Sequence, residues 1–229
     1  MYERAQFSPD TIASVCPGVR SDAPAGGFYR QRGKRLFDFL FVLAILPFLV
    51  AVVLLLALIV RCDGGPAFFL HERVGRGGKP FKCLKLRTMV VNAEARLEDY
   101  LSAHPDQRTL WQRDYKLKND PRITVTGRVL RRLSLDELPQ FFNVLLGQMS
   151  IVGPRPITLP ELEFYADQRC ALLSVLPGLT GPWQVGGRNK LAFVDRVRLD
   201  LGYVRQIGFW RDLKLIMATV AVAVKGTGV

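Results

Sequence analysis

Apolar and polar positions follow different rhythms along this chain. From Phe39 to Val60 (FLFVLAILPFLVAVVLLLALIV) no charged residue occurs. As a helix that run extends roughly 33 Å at about 1.5 Å per residue, close to a hydrocarbon core of about 30 Å, so it predicts a membrane segment. Pro47 lies inside it and has no N–H to give the carbonyl of Leu43, which predicts a bend there between arms of roughly 12 and 20 Å. Six Lys/Arg against three acids precede residue 36, and 26 against 16 follow residue 60. Two basic flanks both favour the cytoplasmic side, so the pattern favours a re-entrant helix hairpin over a single pass. Asp38 stands three and four residues from Arg35 and Lys34, the spacing of a local ion pair.

Beyond the run, Pro66–Leu70, Val74 and Phe81–Met89 are short apolar stretches broken by GRGGKP, which predicts a small β-hairpin. Asn92–Leu101 has helical composition with Asn92 as a cap. Leu138, Phe141, Phe142, Leu145 and Leu146 recur at helical spacing, and Gly147 ends that helix. Leu215–Val224 is apolar but too short to cross a bilayer. Bounded by Lys214 and Lys225, it fits a helix against the domain or in the headgroup region. Residues 1–29 scatter Pro and Gly without period and read as a mobile tail. The expected architecture is α+β and helix-rich: a tail (1–29), a re-entrant membrane helix hairpin broken at Pro47 (30–62) and a small cytosolic domain (63–229) with interfacial amphipathic helices.

Composition narrows the class. Hydrophobic residues make up 49% and charged residues 23% of 229, which excludes both disorder and a polytopic membrane protein. A net charge of +12 calls for an anionic partner: nucleic acid, anionic lipid or a phosphate-rich substrate. The four cysteines form no CxxC pair and have no histidine at ligand spacing, so a zinc site is not expected and they read as reduced thiols.

Candidate chemistry concentrates in residues 118–156. Ser134 and Glu137 have capping-box spacing, while Pro139 fits better if Asp136 itself caps. Either register leaves two carboxylates, Asp136 and Glu137, at a helix start, where acids ordinarily satisfy backbone donors. Their neighbours point further. Arg128, Arg131 and Arg132 precede the pair, and Arg155 follows in a Gly-Pro-Arg-Pro turn whose prolines rigidify a guanidinium suited to phosphate oxygens. Two carboxylates among arginines can also hold a divalent cation. Lys85 and Arg87 alternate with apolar residues and would share a strand face, and a solvated basic face explains them equally well. The segment 177–189 (PGLTGPWQVGGRN) suits either a phosphate loop or an irregular loop around a buried Trp183. His71 and His104 stand alone, with no catalytic role assigned. The competing reading is a membrane-tethered basic module that binds nucleic acid or anionic lipid by charge, without catalysis.

Six motifs, in this order, resemble the bacterial monotopic phosphoglycosyl transferases: Lys34-Arg35-x-x-Asp38 before the Pro-broken run, FKCLKLRTM (81–89), KLKNDPRIT (116–124), LRRLSLDELPQ (130–140), MSIVGPRP (149–156) and PGLTGPWQVGGRN (177–189). The likeness spans about residues 33–225 and is closest to the short sugar transferases that begin exopolysaccharide synthesis. It departs at Leu46, where relatives often carry Ser, and at Pro182. No large N-terminal domain of the kind some relatives carry is expected. The resemblance implies transfer of a sugar 1-phosphate from a UDP-sugar to polyprenyl (undecaprenyl) phosphate, with release of UMP, at the cytoplasmic face of the bacterial inner membrane. It implies Mg2+, with Asp136 as nucleophile, Glu137 as its dyad partner at the metal, and Lys85, Arg131, Arg155 and Arg188 as substrate-binding residues. Anionic membrane lipid is an implied partner, nucleic acid is not, and a homodimer is among the assemblies allowed. Which sugar is transferred is not legible.

Overall fold

The structure is a computed structural model that describes residues 27–114, 117, 119–187 and 192–224. The expected N-terminal tail therefore lies almost wholly outside the described residues. A π-helical turn, Tyr29–Gly33, runs directly into α1 (Lys34–Arg61), which continues through Pro47 as one helical element. Two antiparallel strands follow, β1 (Phe68–Val74) and β2 (Pro80–Leu86), then α2 (Ala93–Ala103), α3 (Pro105–Asp114), α4 (Val125–Arg132) and α5 (Gln140–Leu145). The chain continues with β3 (Ser150–Val152), α6 (Leu159–Glu163), α7 (Arg169–Leu173), β4 (Gly178–Thr180), α8 (Pro182–Gly186), α9 (Phe193–Arg205) and α10 (Phe209–Val224). Strands β3 and β4 pair in parallel. This is the expected helix-rich α+β chain with small sheets.

The apolar run divides cleanly into two faces. Val42, Leu49, Val53, Ala57 and Val60 are buried, while Leu36, Leu40, Leu43, Phe48, Leu54, Leu55 and Leu58 stand exposed. Both ends of α1 pack on the same domain. Val42 joins a core with Phe81, Cys83, Val144, Met149, Ile151, Val152 and Tyr203. Ala57 and Val60 join a second core with Ala67, Leu86 and Leu130.

Charged side chains fasten each end. Lys34 Nζ lies 2.5 Å from Asp212 Oδ2, a carboxylate with no solvent exposure that also accepts from Tyr29 Oη (2.8 Å) and Tyr203 Oη (2.7 Å). Arg35 donates to the carbonyls of Val144 and Leu145 (2.8 Å to the latter) in the last turn of α5. Asp38 Oδ1 accepts the Ile151 N–H at 3.2 Å. The local pairing expected among Lys34, Arg35 and Asp38 is thus replaced by three tertiary contacts. At the other end, Arg87 donates to the carbonyls of Val60 (3.1 Å), Pro66 (2.6 Å) and Met89 (3.0 Å) and pairs with Asp63. Arg87 is therefore a buried staple and takes no part in a shared basic face with Lys85.

The hairpin is where the sequence placed it, with Gly77 and Gly78 at positive φ in its turn. The segment after it folds back on 120–124, through an antiparallel bridge between Met89 and Ile123 and the Thr124 N–H to Thr88 O bond (3.1 Å). Gly127 is obligatory at this crossing, because a Cβ there would sit 2.1 Å from the Thr88 carbonyl oxygen. Helix α3 was not expected: the polar 104–106 stretch ends α2 but also begins a new helix with Pro105 in its first turn. Cys62 and Cys83 are free thiols, whereas Cys170 is disulfide-bonded, which corrects the expectation of four reduced cysteines.

Candidate active site

Helix α4 ends at Arg132, and Ser134 then takes a left-handed conformation (φ 57°, ψ 24°) that turns the chain sharply into a 3-10 turn, Leu135–Glu137. For a non-glycine residue this is a strained backbone, of the kind that concentrates at functional sites. Ser134 makes no side-chain cap bond, and the following helix takes Pro139 as its N-cap. Neither expected capping scheme forms. The carboxylates are turned away from the helix they precede and toward β2.

There they meet cations from separate parts of the chain. Lys85 Nζ lies 2.7 Å from Glu137 Oε1 and 4.0 Å from Asp136 Oδ2. Arg155 Nη2 lies 3.9 Å from the same Glu137 oxygen. Arg131 donates from Nε to Thr88 Oγ1 at 2.9 Å, which fixes the guanidinium on the side of Asp136. Asp136 is only 8% exposed. Burial pushes its carboxyl above the ordinary range, Lys85 pulls it back, Glu137 raises it further and Arg131 lowers it. A buried carboxylate whose nearest cation stands at 4.0 Å is costly for stability alone.

Arg155 is held from behind. Its guanidinium carbon lies 5.1 Å from the centre of the Trp183 ring, and that of Arg196 lies 4.5 Å from the same ring. Arg73 donates to the Pro156 carbonyl (3.3 Å) and to Glu161 Oε2 (3.1 Å), locking the turn that carries Arg155. A recess opens between these groups, lined by Arg73, Lys85, Glu137, Gln140, Arg155 and Gln184.

Of the residues singled out by sequence, Asp136, Glu137, Lys85 and Arg155 come together and Arg131 borders them. Arg128 and Arg132 are exposed on α4 outside the cluster. Arg188 lies outside the described residues. The segment before it is ordered, with Trp183 buried. Its Gly178 serves a backbone crossing, since a Cβ there would fall 2.0 Å from Gly153 N. Sequence reasoning missed Arg73, Thr88, Gln140 and Gln184. Arg73 was legible in principle: pairing the hairpin around GRGGKP sets it opposite Phe81 and on the same face as Lys85.

The donor set can be tested against a divalent cation. The two carboxylates both face Lys85 Nζ, Glu137 Oε1 at 2.7 Å and Asp136 Oδ2 at 4.0 Å, and among the described residues no third His, Cys, Asp or Glu joins them. That fits Mg2+, which keeps waters and takes substrate phosphate oxygens alongside one or two carboxylates, and does not fit a closed protein cage.

Comparison with known proteins shows the family. The bacterial sugar transferase family matches residues 29–226. The undecaprenyl-phosphate galactose phosphotransferase of Salmonella typhimurium is 47% identical over 195 residues, 85% of this chain and 41% of that protein. The UDP-galactose-lipid carrier transferase of Erwinia amylovora is 46% identical over the same shares of each. The exopolysaccharide production protein ExoY of Rhizobium meliloti is 43% identical over 218 residues, 95% of this chain and 93% of its own length. The chain thus spans about two fifths of the first two relatives and nearly all of the third.

Proposed function

The chain belongs to the bacterial sugar transferase family, and from that premise we propose that it moves a sugar 1-phosphate from a UDP-sugar to undecaprenyl phosphate at the cytoplasmic face of the inner membrane, the first membrane step of exopolysaccharide synthesis. The observation that carries the proposal is the cluster in which Lys85 meets both Asp136 and Glu137 and Arg155 meets Glu137, beside a recess lined by Lys85, Glu137 and Arg155.

In this reading an Asp136 carboxylate oxygen attacks the phosphorus that bears the sugar. The bond from that phosphorus to the bridging oxygen breaks, and UMP leaves with the electron pair. The acceptor's phosphate oxygen then attacks the phosphosugar-aspartyl intermediate, releases the carboxylate and carries away the sugar as a polyprenyl diphosphate. An anion approaching a diphosphate is repelled, and Lys85, Arg131 and Arg155 offset that repulsion from preorganised positions. Asp136 and Glu137 would hold Mg2+, which when bound would supply further charge neutralisation on the phosphate oxygens.

The same proposal makes α1 a re-entrant hairpin bent at Pro47. Its support is that Lys34, Arg35 and Asp38 pin one end, and Arg87 the other, to a single domain, so both ends belong on one side of the bilayer. Exposed apolar side chains on α4 (Val125, Val129) and α10 (Trp210, Met217, Val220) support seating of the domain at the headgroup level. A lipid phosphate then reaches the recess by diffusion in the plane of the membrane.

The test is a single-turnover assay. Purified protein with Mg2+ and a UDP-sugar from a panel should release about one UMP per active site without any lipid acceptor. Asp136→Asn should release none. Normal turnover by that variant would refute the assignment.

A further inference from the structure

The hairpin face that carries Lys85 also carries an aromatic pair for which the chemistry above has no use. Directly opposed residues of an antiparallel pair project to the same side, so the pairings Phe69 with Lys85, His71 with Cys83 and Arg73 with Phe81 set Phe69, His71 and Arg73 in one row. Arg73, Cys83 and Lys85 line the recess; Phe69 and His71 continue the same row along the strand face beyond it. Their ring centroids are 5.8 Å apart, and Phe69 is 52% exposed.

The tautomer of His71 is fixed by its neighbour. Arg73 Nη2 lies 3.1 Å from His71 Nδ1. A guanidinium only donates, so Nδ1 is the acceptor and Nε2 carries the hydrogen. Burial first, then Arg73, Lys85 and Arg155, lower the ring's pKa to about 4, which keeps this neutral form at pH 7. The row therefore offers an open aromatic face with an N–H donor beside it, next to the cations that face the dyad.

A nucleoside diphosphate has this shape in reverse: a flat base with carbonyl acceptors, set off from its phosphates by a ribose. An isoprenoid chain would leave the Nε2–H without an acceptor. We propose that Phe69 and His71 seat the nucleobase of the donor, the uracil ring stacking on Phe69 and accepting the His71 Nε2–H at a carbonyl while the diphosphate lies between Lys85 and Arg155. This rests on the reading of the chain as a UDP-sugar transferase. Arg73 acts as a positioning residue, holding both the His71 tautomer and the Arg155 turn.

The experiment measures dissociation constants for UMP and inorganic pyrophosphate on the full chain in lipid nanodiscs, together with KM for UDP-sugar and for polyprenyl phosphate. Phe69→Leu keeps the apolar bulk and removes the aromatic face. It should weaken UMP at least about fivefold, as base–aromatic stacking contacts do, and raise the UDP-sugar KM by the same factor, with pyrophosphate binding and acceptor KM unmoved. His71→Ala should weaken UMP several-fold, and His71→Gln, which keeps a donor, should restore most of it. Unchanged UMP affinity in Phe69→Leu overturns the proposal, as does a parallel loss of pyrophosphate binding. A rise in acceptor KM alone gives the row to the lipid chain instead. Wild-type protein that releases no UMP from any UDP-sugar sinks the transferase reading itself, a result distinct from all of these.

Discussion

The joint that fastens α1 and the corner that holds Asp136 are built from the same side chains and behave oppositely. At the joint, Asp212 has no solvent exposure and receives Lys34, Tyr29 and Tyr203 within 2.8 Å. Arg35 there gives its donors to backbone carbonyls, and Asp38 accepts a backbone N–H at Oδ1 while its Oδ2 is buried without a hydrogen-bond partner. At the corner, Asp136 Oδ2 lies 4.0 Å from Lys85 Nζ, Arg131 gives one nitrogen to Thr88, and Arg155 lies open to solvent by about a third of its side chain. Three close donors on Asp212 hold two parts of the molecule together. The looser contacts at the corner keep cationic donors in reserve for a ligand's phosphates. The difference between Asp212 and Asp136 lies in how closely their donors approach, which residue type does not encode.

The sharpest way to break this comparison is to remove one carboxylate from each cluster. Asp136→Asn should abolish UMP release with little change in thermal stability, because its folded-state environment already disfavours the charge. Asp212→Ala should do the reverse. It strands Lys34 in a buried site, a loss of roughly 3–5 kcal/mol by analogy with other broken buried pairs, while protein that stays folded keeps its dyad. Thermal melts paired with the single-turnover assay read both. Two variants that lose stability and activity together would show that the clusters are one unit.

What the sequence disclosed follows the same division. The apolar run, the hairpin and the helix ended by Gly147 were legible because their periodicity is local. Asp136 and Glu137 were legible as a pair, yet propensity suggested a capping box. The left-handed Ser134 that cancels it lies between α4, which crosses the segment after β2 at Gly127 and Thr88, and a 3-10 turn that packs on β2, contacts made by residues far apart in the chain. Lys34, Arg35 and Asp38 read as a local ion-pair set, and their real partners lie more than a hundred residues away. The catalytic roles given to Asp136 and Glu137 came from resemblance, since carboxylates at a helix start do not by themselves distinguish a cap from a nucleophile. Strands β3 and β4, three residues each, are too short to show a period.

A smaller effect sharpens the corner. Thr88 is buried and accepts the Arg131 Nε–H at 2.9 Å. Thr88→Val keeps the volume and removes that acceptor, so Arg131 should lose its fixed pose. The expected outcome is a fall in kcat of about tenfold, the scale at which loss of an orienting hydrogen bond to an active-site group is felt, with a melting temperature changed by only a few degrees. Serine, which retains the hydroxyl, should restore the rate. An unchanged kcat in Thr88→Val would separate Arg131 from the chemistry.

Asp200 stands between the two regimes and tests their boundary. It is as buried as Asp212, but it accepts only Tyr165 Oη, at 3.0 Å, and its Oδ1 has no hydrogen-bond partner. Burial pushes its carboxyl up to about 7, against the pull of Tyr165, Arg155 and Arg196. A carboxyl whose folded pKa exceeds its unfolded value of 3.8 binds its proton more tightly in the folded state. Its ionisation therefore costs stability progressively as pH rises from about 4 to about 7, and the cost is constant above that. Asp200→Asn never ionises and can still accept from Tyr165. It should melt higher than wild type at pH 8, by a margin of the order of 2 kcal/mol once the burial of the amide is allowed for. That margin should shrink through the window between 7 and 4 and disappear below it. A margin that stays flat with pH would mean that Arg155 and Arg196 already neutralise Asp200, placing it with the joint and not with the corner.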